Sequence, residues 1–321
     1  MKSNLFQLLY EHQNESLSGE EISRLFGVSR AAVWKHIKAL KEDGAEIESI
    51  TNKGYKMTRL PNVLKPEYLE PLLPFEEKII WLKEIDSTNS YAKKAAQQLP
   101  GEFAVIAEAQ TAGRGRRGRN WVSPVGENIY MTFVVRPEIP PRDAPGLTLA
   151  AALAVCDAVQ QSTGVICGIK WPNDIIVDQK KVCGILTEMT ADMDQIDYVA
   201  IGIGINVNQS SIPEELKDKA ISLKQKTGKA VERLTLCAAL ARAIRERVNT
   251  VEKNGVKGIL EDYEKRSILL NREIYAVGQQ EVRKGTCVGF TETGALLFQS
   301  DGKIEELNSG EISIRGVNGY V

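Results

Sequence analysis

Histidine is nearly absent from this chain. The only two, His12 and His36, both lie near the N-terminus. Because histidine is the usual base beside a serine or cysteine nucleophile, such a catalytic pair is not expected in the rest of the chain. Any chemistry there must run without histidine.

Cysteine is present only as scattered single residues. The five are Cys156, Cys167, Cys183, Cys237 and Cys287, and no two of them form a C-x-x-C pair. This spacing argues against a zinc site and against a disulfide framework. We expect no metal site made of protein ligands, and mostly buried, reduced thiols.

Long apolar runs and an excess of one charge are also missing. No run reaches the roughly 18 residues that a membrane helix needs, and the first residues do not resemble a signal peptide. We therefore expect a cytoplasmic protein with no membrane partner. The net charge is −1 and 43% of the residues are hydrophobic, which is the ordinary globular balance. The length of 321 residues predicts two or three domains.

The first 60 residues have the pattern of a winged helix-turn-helix. Ser18 and Glu21 form a capping box for a second helix, which Gly27 ends. Ser29 then caps a third helix. The apolar stripe predicted for that helix consists of Val33, Ile37 and Leu40. A hairpin over residues 46–57, turning through Asn52 to Gly54, is the expected wing.

The positive charge of this segment is concentrated on the third helix, which has no acidic residue between positions 28 and 41. Such a helix fits the major groove, and short residues at its start allow close approach to base edges. A three-helix interaction module with a solvated basic face remains the alternative. The residues predicted to contact DNA are Ser18, Ser29, Arg30, Ala31, Ala32, Lys35, His36 and Lys38.

A proline-bearing connector follows at residues 60–74, with prolines at positions 61, 66, 71 and 74. A second domain is expected to begin near residue 75. Periodicity in that domain predicts a mixed α+β or α/β fold. The predicted strands are 79–82, 104–107, 129–135, 165–169, 175–177, 184–189 and 198–206. The predicted helices are 89–98, 148–162 and 234–253. Because the connector separates two cores, removal of residues 1–60 is expected to leave a folded second domain.

The segment GRGRRGR at residues 113–119 holds four arginines and three glycines. It satisfies G-x-G-x-x-G, but residues 120–124 predict a loop where a dinucleotide fold needs a helix, so we reject that fold. Four guanidinium groups repel one another unless anions are bound. A ligand with a phosphate or carboxylate explains the segment, and a solvated basic loop or a second nucleic-acid contact remains the alternative.

Three further segments carry polar groups: DSTN at 86–89, KWPND at 170–174 with KVCGIL at 181–186, and GIGINVN at 202–208. Alone, the first can be a helix cap and the second a surface hairpin. The third is a glycine-bearing strand, which suggests close approach to a ligand or to another strand. None of the three is specific by itself.

Together and in this order, these motifs resemble the biotin protein ligase family over essentially the whole chain, and the N-terminal segment is similar to that of its DNA-binding, bifunctional members. The resemblance implies an α+β multidomain fold. Its expected parts are a winged helix-turn-helix at 1–62, a mixed α/β ligase domain of class II synthetase type at 63–269, and a small SH3-like β-barrel at 270–321. The turn at Asp301-Gly302 independently predicts a hairpin in the last part.

The resemblance also implies site residues. The expected biotin contacts are Ser87, Thr88, Asn89, Gln110, Arg114, Gly115, Arg116, Lys181 and Gly184. The expected ATP and adenylate contacts are Arg114, Arg116, Arg119, Trp121, Lys170, Asn206 and Arg315. The expected catalytic residues are Lys181, Arg116 and Asp174, the last orienting or deprotonating an acceptor lysine.

The implied activity joins biotin to ATP, with Mg²⁺, to form biotinyl-5'-AMP, and then transfers biotin to a lysine of a biotin carboxyl carrier protein. An adenylate-bound homodimer would bind operator DNA and repress biotin synthesis genes. The near absence of histidine is consistent with this, since a carboxylate attacking phosphorus needs no base, only charge neutralisation and placement. A biotin-sensing transcription factor without ligase activity and a lipoate-type ligase are the alternatives.

Overall fold

The computed structural model describes residues 1–51, 53–76, 78–278, 281–310 and 312–316. Asn52, part of the predicted wing turn, and residues 317–321, part of the predicted C-terminal domain, lie outside the described residues.

The N-terminal segment folds as three helices and a hairpin. Ser18 and Glu21 form the predicted capping box, and Gly27 ends the second helix with a left-handed φ of 63°. The Ser29 hydroxyl caps the third helix by accepting a hydrogen bond from the Ala32 amide. The elements are α1 (Lys2–Glu11), α2 (Gly19–Phe26), α3 (Arg30–Glu42), β1 (Glu46–Ile50) and β2 (Gly54–Arg59).

The predicted connector contains a short helix, α4 (Pro66–Leu69), which the sequence did not predict. Pro66 occupies its first turn, where the missing amide proton costs nothing. Tyr68 is fully buried, and its ring centroid lies 5.0 Å from that of Phe6 in α1. The Tyr68 hydroxyl and the Lys65 ammonium both donate to Asp43 at the end of α3, at 2.5 and 2.8 Å. The connector is therefore packed against the N-terminal module.

A seven-stranded sheet forms the centre of the molecule, in the order β3-β4-β5-β9-β8-β7-β6. Only β3 and β4 pair in parallel. The strands are β3 (Ile79–Leu82), β4 (Phe103–Ala107), β5 (Ile129–Val135), β6 (Gly168–Lys170), β7 (Asp174–Val177), β8 (Lys180–Ala191) and β9 (Ile196–Ile205). The helices of this part are α5 (Thr88–Ala96), α6 (Pro145–Thr163), α7 (Leu223–Thr227), α8 (Arg233–Asn254) and α9 (Lys257–Arg266).

Most predicted elements of the central part are present, with four differences, one of which is the short helix α7 that the sequence did not predict. The strand predicted from residue 165 begins only at Gly168, because Val165 and Cys167 cover the core from a loop. Strand β8 is twice as long as predicted. Helix α9 was missed because only Ile259 and Tyr263 are buried in it, which is too few to give a periodic signal.

The C-terminal part is an antiparallel sheet in the order β13-β12-β11-β10-β14. Asp301 and Gly302 form the predicted hairpin turn, with φ angles of 51° and 75°. Within the described ranges the edge strands β13 and β14 do not pair, so the predicted barrel is an open sheet by its hydrogen bonds. The strands are β10 (Glu273–Val277), β11 (Val282–Phe290), β12 (Leu296–Ser300), β13 (Lys303–Leu307) and β14 (Ser313–Gly316).

All five cysteines are buried and free, as predicted. None of the helices in the described part of the chain is both long and apolar enough to cross a membrane.

A buried ion pair links the connector to the central sheet. The Arg233 guanidinium, fully buried at the start of α8, donates to Glu108 Oε2 at 2.9 Å and to the Asn128 carbonyl at 2.9 Å. Its Nε donates to Asn62 Oδ1 of the connector at 3.1 Å. Glu108 also accepts a 2.7 Å hydrogen bond from the Leu64 amide. This network fixes where the N-terminal module joins the ligand-bearing part.

Replacing Arg233 with Met is expected to lower the free energy of unfolding by about 3 to 5 kcal/mol, because Glu108 would be left as a buried charge without its partner. Urea unfolding followed by far-ultraviolet circular dichroism measures this. The double variant Arg233→Met, Glu108→Gln should regain part of the loss. A single variant as stable as the wild type would show that the pair does not hold the junction.

Candidate functional site

A cleft with about 460 Å³ of empty space, part of it open to solvent, lies over the centre of the seven-stranded sheet. All nine predicted biotin contacts line it, and so does Trp121 from the predicted ATP set. The lining residues are Ser87, Thr88, Asn89, Gln110, Arg114, Gly115, Arg116, Trp121, Asn173, Lys181, Gly184, Ile185, Leu186, Gly202, Ile203 and Gly204. Motifs separated by up to 117 positions therefore meet at one place.

Glycines form the floor of the cleft. Gly184 of β8 and Gly204 of β9 are direct partners in the sheet. A Cβ at Gly204 would lie 2.6 Å from the Trp121 ring, and one at Gly202 would lie 2.0 Å from Asn89 Oδ1. The floor therefore has room for Trp121 and Asn89 only because no side chain rises from it. The sequence motif contained Gly202 and Gly204, but neither was assigned to the site.

A buried polar wall stands at the N-terminus of α5. Ser87 caps the helix, and it is buried together with Thr88 and Asn89. The Thr88 amide and hydroxyl donate to Gln110 Oε1 at 2.9 and 3.1 Å. Thr132 Oγ1 lies 2.7 Å from Asn89 Oδ1. These contacts hold the side chains in fixed orientations, as a site for a small polar ring requires.

The GRGRRGR segment forms a compact turn rather than the start of a helix. The Gly115 amide donates to the Arg119 carbonyl at 2.7 Å, and the Trp121 amide donates to the Gly113 carbonyl at 2.8 Å. Arg117 adopts a left-handed φ of 56°. No α-helix follows before α6, so rejection of the dinucleotide fold is confirmed.

Arg116 points from this turn into the molecule. Its guanidinium donates to Asn173 Oδ1 at 2.8 Å and to the carbonyl of Ser309 in the C-terminal part. Burial lowers the pKa of Arg116, and the nearby Asp174 partly opposes that shift. Arg116 thus connects the arginine turn, the KWPND segment and the C-terminal sheet. Asn173 belongs to the KWPND motif, but the sequence did not predict it as a site residue.

Lys181 and Asp174 form an ion pair at the rim of the cleft, with 2.5 Å between Nζ and Oδ1. The Lys181 ammonium also lies 5.3 Å from the centre of the Trp121 ring, which favours a cation over its face. Two of the three predicted catalytic groups, Lys181 and Asp174, are therefore in contact.

Four predicted ATP contacts do not line the cleft. Lys170 is only 5% exposed, and burial lowers its pKa to about 8. Arg119 and Arg315 are exposed, but both lie close enough to Lys170 to lower that pKa further. Asn206, just after β9, donates to the Ile221 carbonyl at 3.3 Å. Lys170, Arg119 and Arg315 thus form a positive region next to the Lys181–Asp174 pair. Asn206 lies at the end of β9, where its backbone amide donates to the carbonyl of Val182, the residue after Lys181, at 2.9 Å.

Glu188 on β8 supports the polar wall, although the sequence did not predict it as a site residue. Its carboxylate accepts hydrogen bonds from Asn89 at 3.1 Å and from Lys93 at 2.7 Å. Burial raises the pKa of Glu188, but these two bonds outweigh burial and leave the pKa below its ordinary value. No local motif marks Glu188, because its role depends on contacts between β8 and α5, which are far apart in the sequence.

The predicted DNA-contacting residues lie on the N-terminal helices. The hydroxyls of Ser18 and Ser29 cap α2 and α3 by accepting amide hydrogen bonds at 3.0 and 3.2 Å. Ala32 and His36 are half-buried. The exposed members of the predicted set are Ser29, Arg30, Ala31, Lys35 and Lys38. Trp34, which is 58% exposed on the same helix, was not in the predicted set.

The chain matches three described protein families in order. Residues 2–56 match the HTH domain, residues 81–206 the Biotin/lipoate A/B protein ligase family, and residues 269–315 the Biotin protein ligase C terminal domain. The first match coincides with α1 to β2, the second with the strands that carry the cleft, and the third with the C-terminal sheet. The architecture and cleft thus define a cofactor-protein ligase with an attached helix-turn-helix.

Individual relatives narrow this class. The chain is 35% identical to the bifunctional ligase/repressor BirA of Bacillus subtilis over 320 residues, covering 98% of each chain. It is 34% identical to the Escherichia coli protein of the same name over 299 residues, covering 93% of this chain and 92% of the other. A solved biotin protein ligase from Aquifex aeolicus, in complex with biotin and ATP, superposes with a TM-score of 0.67 at 34% identity. That match covers 75% of this chain and all of the other. This chain belongs to the biotin protein ligase family, in its bifunctional ligase and repressor branch.

Proposed function

We propose that this protein activates biotin with ATP to form biotinyl-5'-AMP, transfers biotin to a lysine of a biotin carboxyl carrier protein, and represses biotin synthesis genes. The observation that carries the proposal is the cleft, where the polar wall, the glycine floor and the Lys181–Asp174 pair converge. The match to a ligase solved with biotin and ATP supports the same ligands here.

In the proposed first step, the biotin carboxylate attacks the α-phosphate of ATP and pyrophosphate leaves. Lys181 and Arg116 would neutralise the charge that builds up on the reacting oxygens. The fixed orientations of Thr88 and Asn89 suit hydrogen bonds to the ureido ring, and Trp121 would form the wall beside adenine. The chain's contribution is placement and charge, which a reaction without a general base requires.

In the proposed second step, the amine of the acceptor lysine attacks the acyl carbon of the adenylate and AMP leaves. An attacking amine must be neutral, so a carboxylate at the rim is needed to orient it or to accept its proton. Asp174 is the candidate, since it lies at the rim within contact of Lys181.

Mg²⁺ is proposed to arrive with the nucleotide. Within the described ranges, no group of three or more His, Cys, Asp and Glu side chains is placed to hold a metal ion. Mg²⁺ is commonly bound by substrate phosphates and water with one or two carboxylates.

Repression is proposed to require an adenylate-bound homodimer on operator DNA. Beyond Ile185, whose amide donates to the Asn173 carbonyl at 3.0 Å, the paired neighbour of β8 within the described residues is β9, which leaves one edge of β8 for a second copy. Ordering of the nearby arginine turn by the adenylate would lower the entropic cost of pairing, and two recognition helices would then engage two half-sites. Sedimentation with and without biotin and ATP tests this, and an unchanged monomer fraction would contradict it.

Residues 1–62, 63–269 and 270–321 are proposed as DNA-binding, ligase and C-terminal domains, and a cytoplasmic location stays a prediction.

Biotin-dependent exchange of pyrophosphate into ATP is the direct test of the ligase. A transcription factor without ligase activity would bind biotin without exchange. A lipoate-type ligase would exchange with lipoate and not with biotin. Either result would overturn the proposal.

Nucleotide binding is expected to weaken as pH rises above about 8, because the buried ammonium of Lys170 loses its charge there. Stability should change in the opposite direction. The pKa of Lys170 is lower in the folded chain than its ordinary 10.5, so folding is penalised below pH 8 and regains stability between 8 and 10.5. Titration of ATP affinity against pH measures the first effect. Lys170→Arg keeps the charge and should make ATP affinity less dependent on pH. A variant whose ATP affinity depends on pH as strongly as that of the wild type would contradict this role.

A further inference from the structure

Trp34 is an exposed aromatic side chain at the centre of the outer face of α3. Ala31, Trp34, Lys35 and Lys38 follow one another at i, i+3, i+4 and i+7, which places them on one stripe of the helix. The opposite stripe is buried against the N-terminal core. Trp34 is 58% exposed, so an indole faces solvent where a polar side chain is expected.

The surroundings of Trp34 are positively charged. The Lys38 ammonium lies 5.8 Å from the ring centre, and Arg30 and Lys35 are exposed on the same helix. The nearest acidic side chain on α3 is Glu42, which lies 3.9 Å from the Lys38 ammonium at the far end of the helix. A partner for this stripe must combine negative charge at its margins with an apolar group at its centre.

The major groove of DNA has this combination. Phosphates border the groove, and the C5 methyl group of thymine is the apolar group on its floor. Trp34 lies in the second turn of α3, beside Ala31, whose small side chain lets the helix approach base edges. A protein partner would also accept the indole, but the exposed cations Arg30, Lys35 and Lys38 on the same helix favour the nucleic acid.

We infer that Trp34 determines sequence specificity by packing its indole on a thymine methyl group in the operator. The inference rests on the proposed DNA-binding function and adds the residue and the base that it recognises. Lysines and arginine around the ring would contact phosphates, which position the helix without selecting a sequence.

The test begins with the full-length protein, biotin and ATP, and a library of random DNA duplexes from which bound sequences are selected. Each thymine of the selected site is then replaced by deoxyuridine, which removes the methyl group and keeps every hydrogen bond. For the wild type, one such replacement should weaken binding about fourfold, the effect of one buried methyl group. Trp34→Ala should weaken binding to the thymine duplex and be insensitive to the same replacement.

Leu25→Ala is the matched control, because Leu25 is a 65% exposed apolar residue on α2. It should keep the full sensitivity to deoxyuridine. Circular dichroism and thermal unfolding establish that both variants are folded. Equal sensitivity in Trp34→Ala and the wild type, or a wild type insensitive at every thymine, would overturn the inference while leaving DNA binding intact. Failure to select any sequence would overturn the proposed repressor function together with it.

Discussion

Lys181→Met should lower biotin-dependent pyrophosphate exchange by about 10² to 10³-fold, the usual loss when one preorganised group that stabilises developing charge is removed. The Lys181 ammonium is held between the Asp174 carboxylate and the Trp121 ring, so its position is set before ligand binds. Methionine fills similar space without the charge. Initial rates of exchange at saturating biotin and ATP give the measurement.

The neighbouring lysine supplies the control. Lys180 precedes Lys181 on β8, so its side chain leaves the opposite face of the sheet and donates to the Lys217 carbonyl at 2.7 Å. Lys180→Met should exchange pyrophosphate at close to the wild-type rate. A Lys181→Met enzyme within twofold of wild type would remove Lys181 from the proposed mechanism.

The local parts of the fold were predictable because their signals are local. The capping box at Ser18, the left-handed Gly27 and the Asp301-Gly302 turn each depend on a few adjacent residues, and all are confirmed. The helix at Pro66 was missed because four residues are too short for a periodic pattern. Its stability comes from Tyr68 packing on Phe6, 62 positions earlier, which no local pattern reveals.

The same contrast between local signals and contacts of distant residues applies to the site. Motifs located the side chains that line the cleft, but they did not show what holds them. Arg116 contacts the Ser309 carbonyl 193 positions away, and Asn89 contacts Glu188 across 99 positions. Such partners are set by strand order, so they required the structure.

The connector also changes an expectation about truncation. The sequence predicts that removal of residues 1–60 leaves a folded second domain without operator binding, because the proline-bearing connector separates two cores. The buried face of Tyr68 packs on α1, and Asp43 binds both Lys65 and Tyr68. Truncation would remove α1 and Asp43 and leave Lys65 and the ring of Tyr68 without these partners. We therefore expect a folded ligase of reduced stability, which thermal unfolding of the truncated chain tests.

The glycine floor gives the second large expected effect. Gly204→Ala adds a Cβ 2.6 Å from the Trp121 ring, so the ring must move. Trp121 lies on a loop and can be displaced outward without unfolding the sheet. A displacement of about 1 Å in a substrate-positioning group costs about 10²-fold in rate, and we expect that loss in adenylate formation.

Two further variants separate this cause from a general defect. Gly278→Ala adds a methyl group at the end of β10 with an ordinary 3.5 Å contact, so pyrophosphate exchange should be unchanged. In Gly204→Ala, Trp121→Leu the smaller side chain removes the clash. The second substitution should therefore cost less in this background than it does alone, because the Trp121 contact is already lost. Strictly additive losses in exchange rate would show that Gly204 acts by some route other than the space it leaves for Trp121.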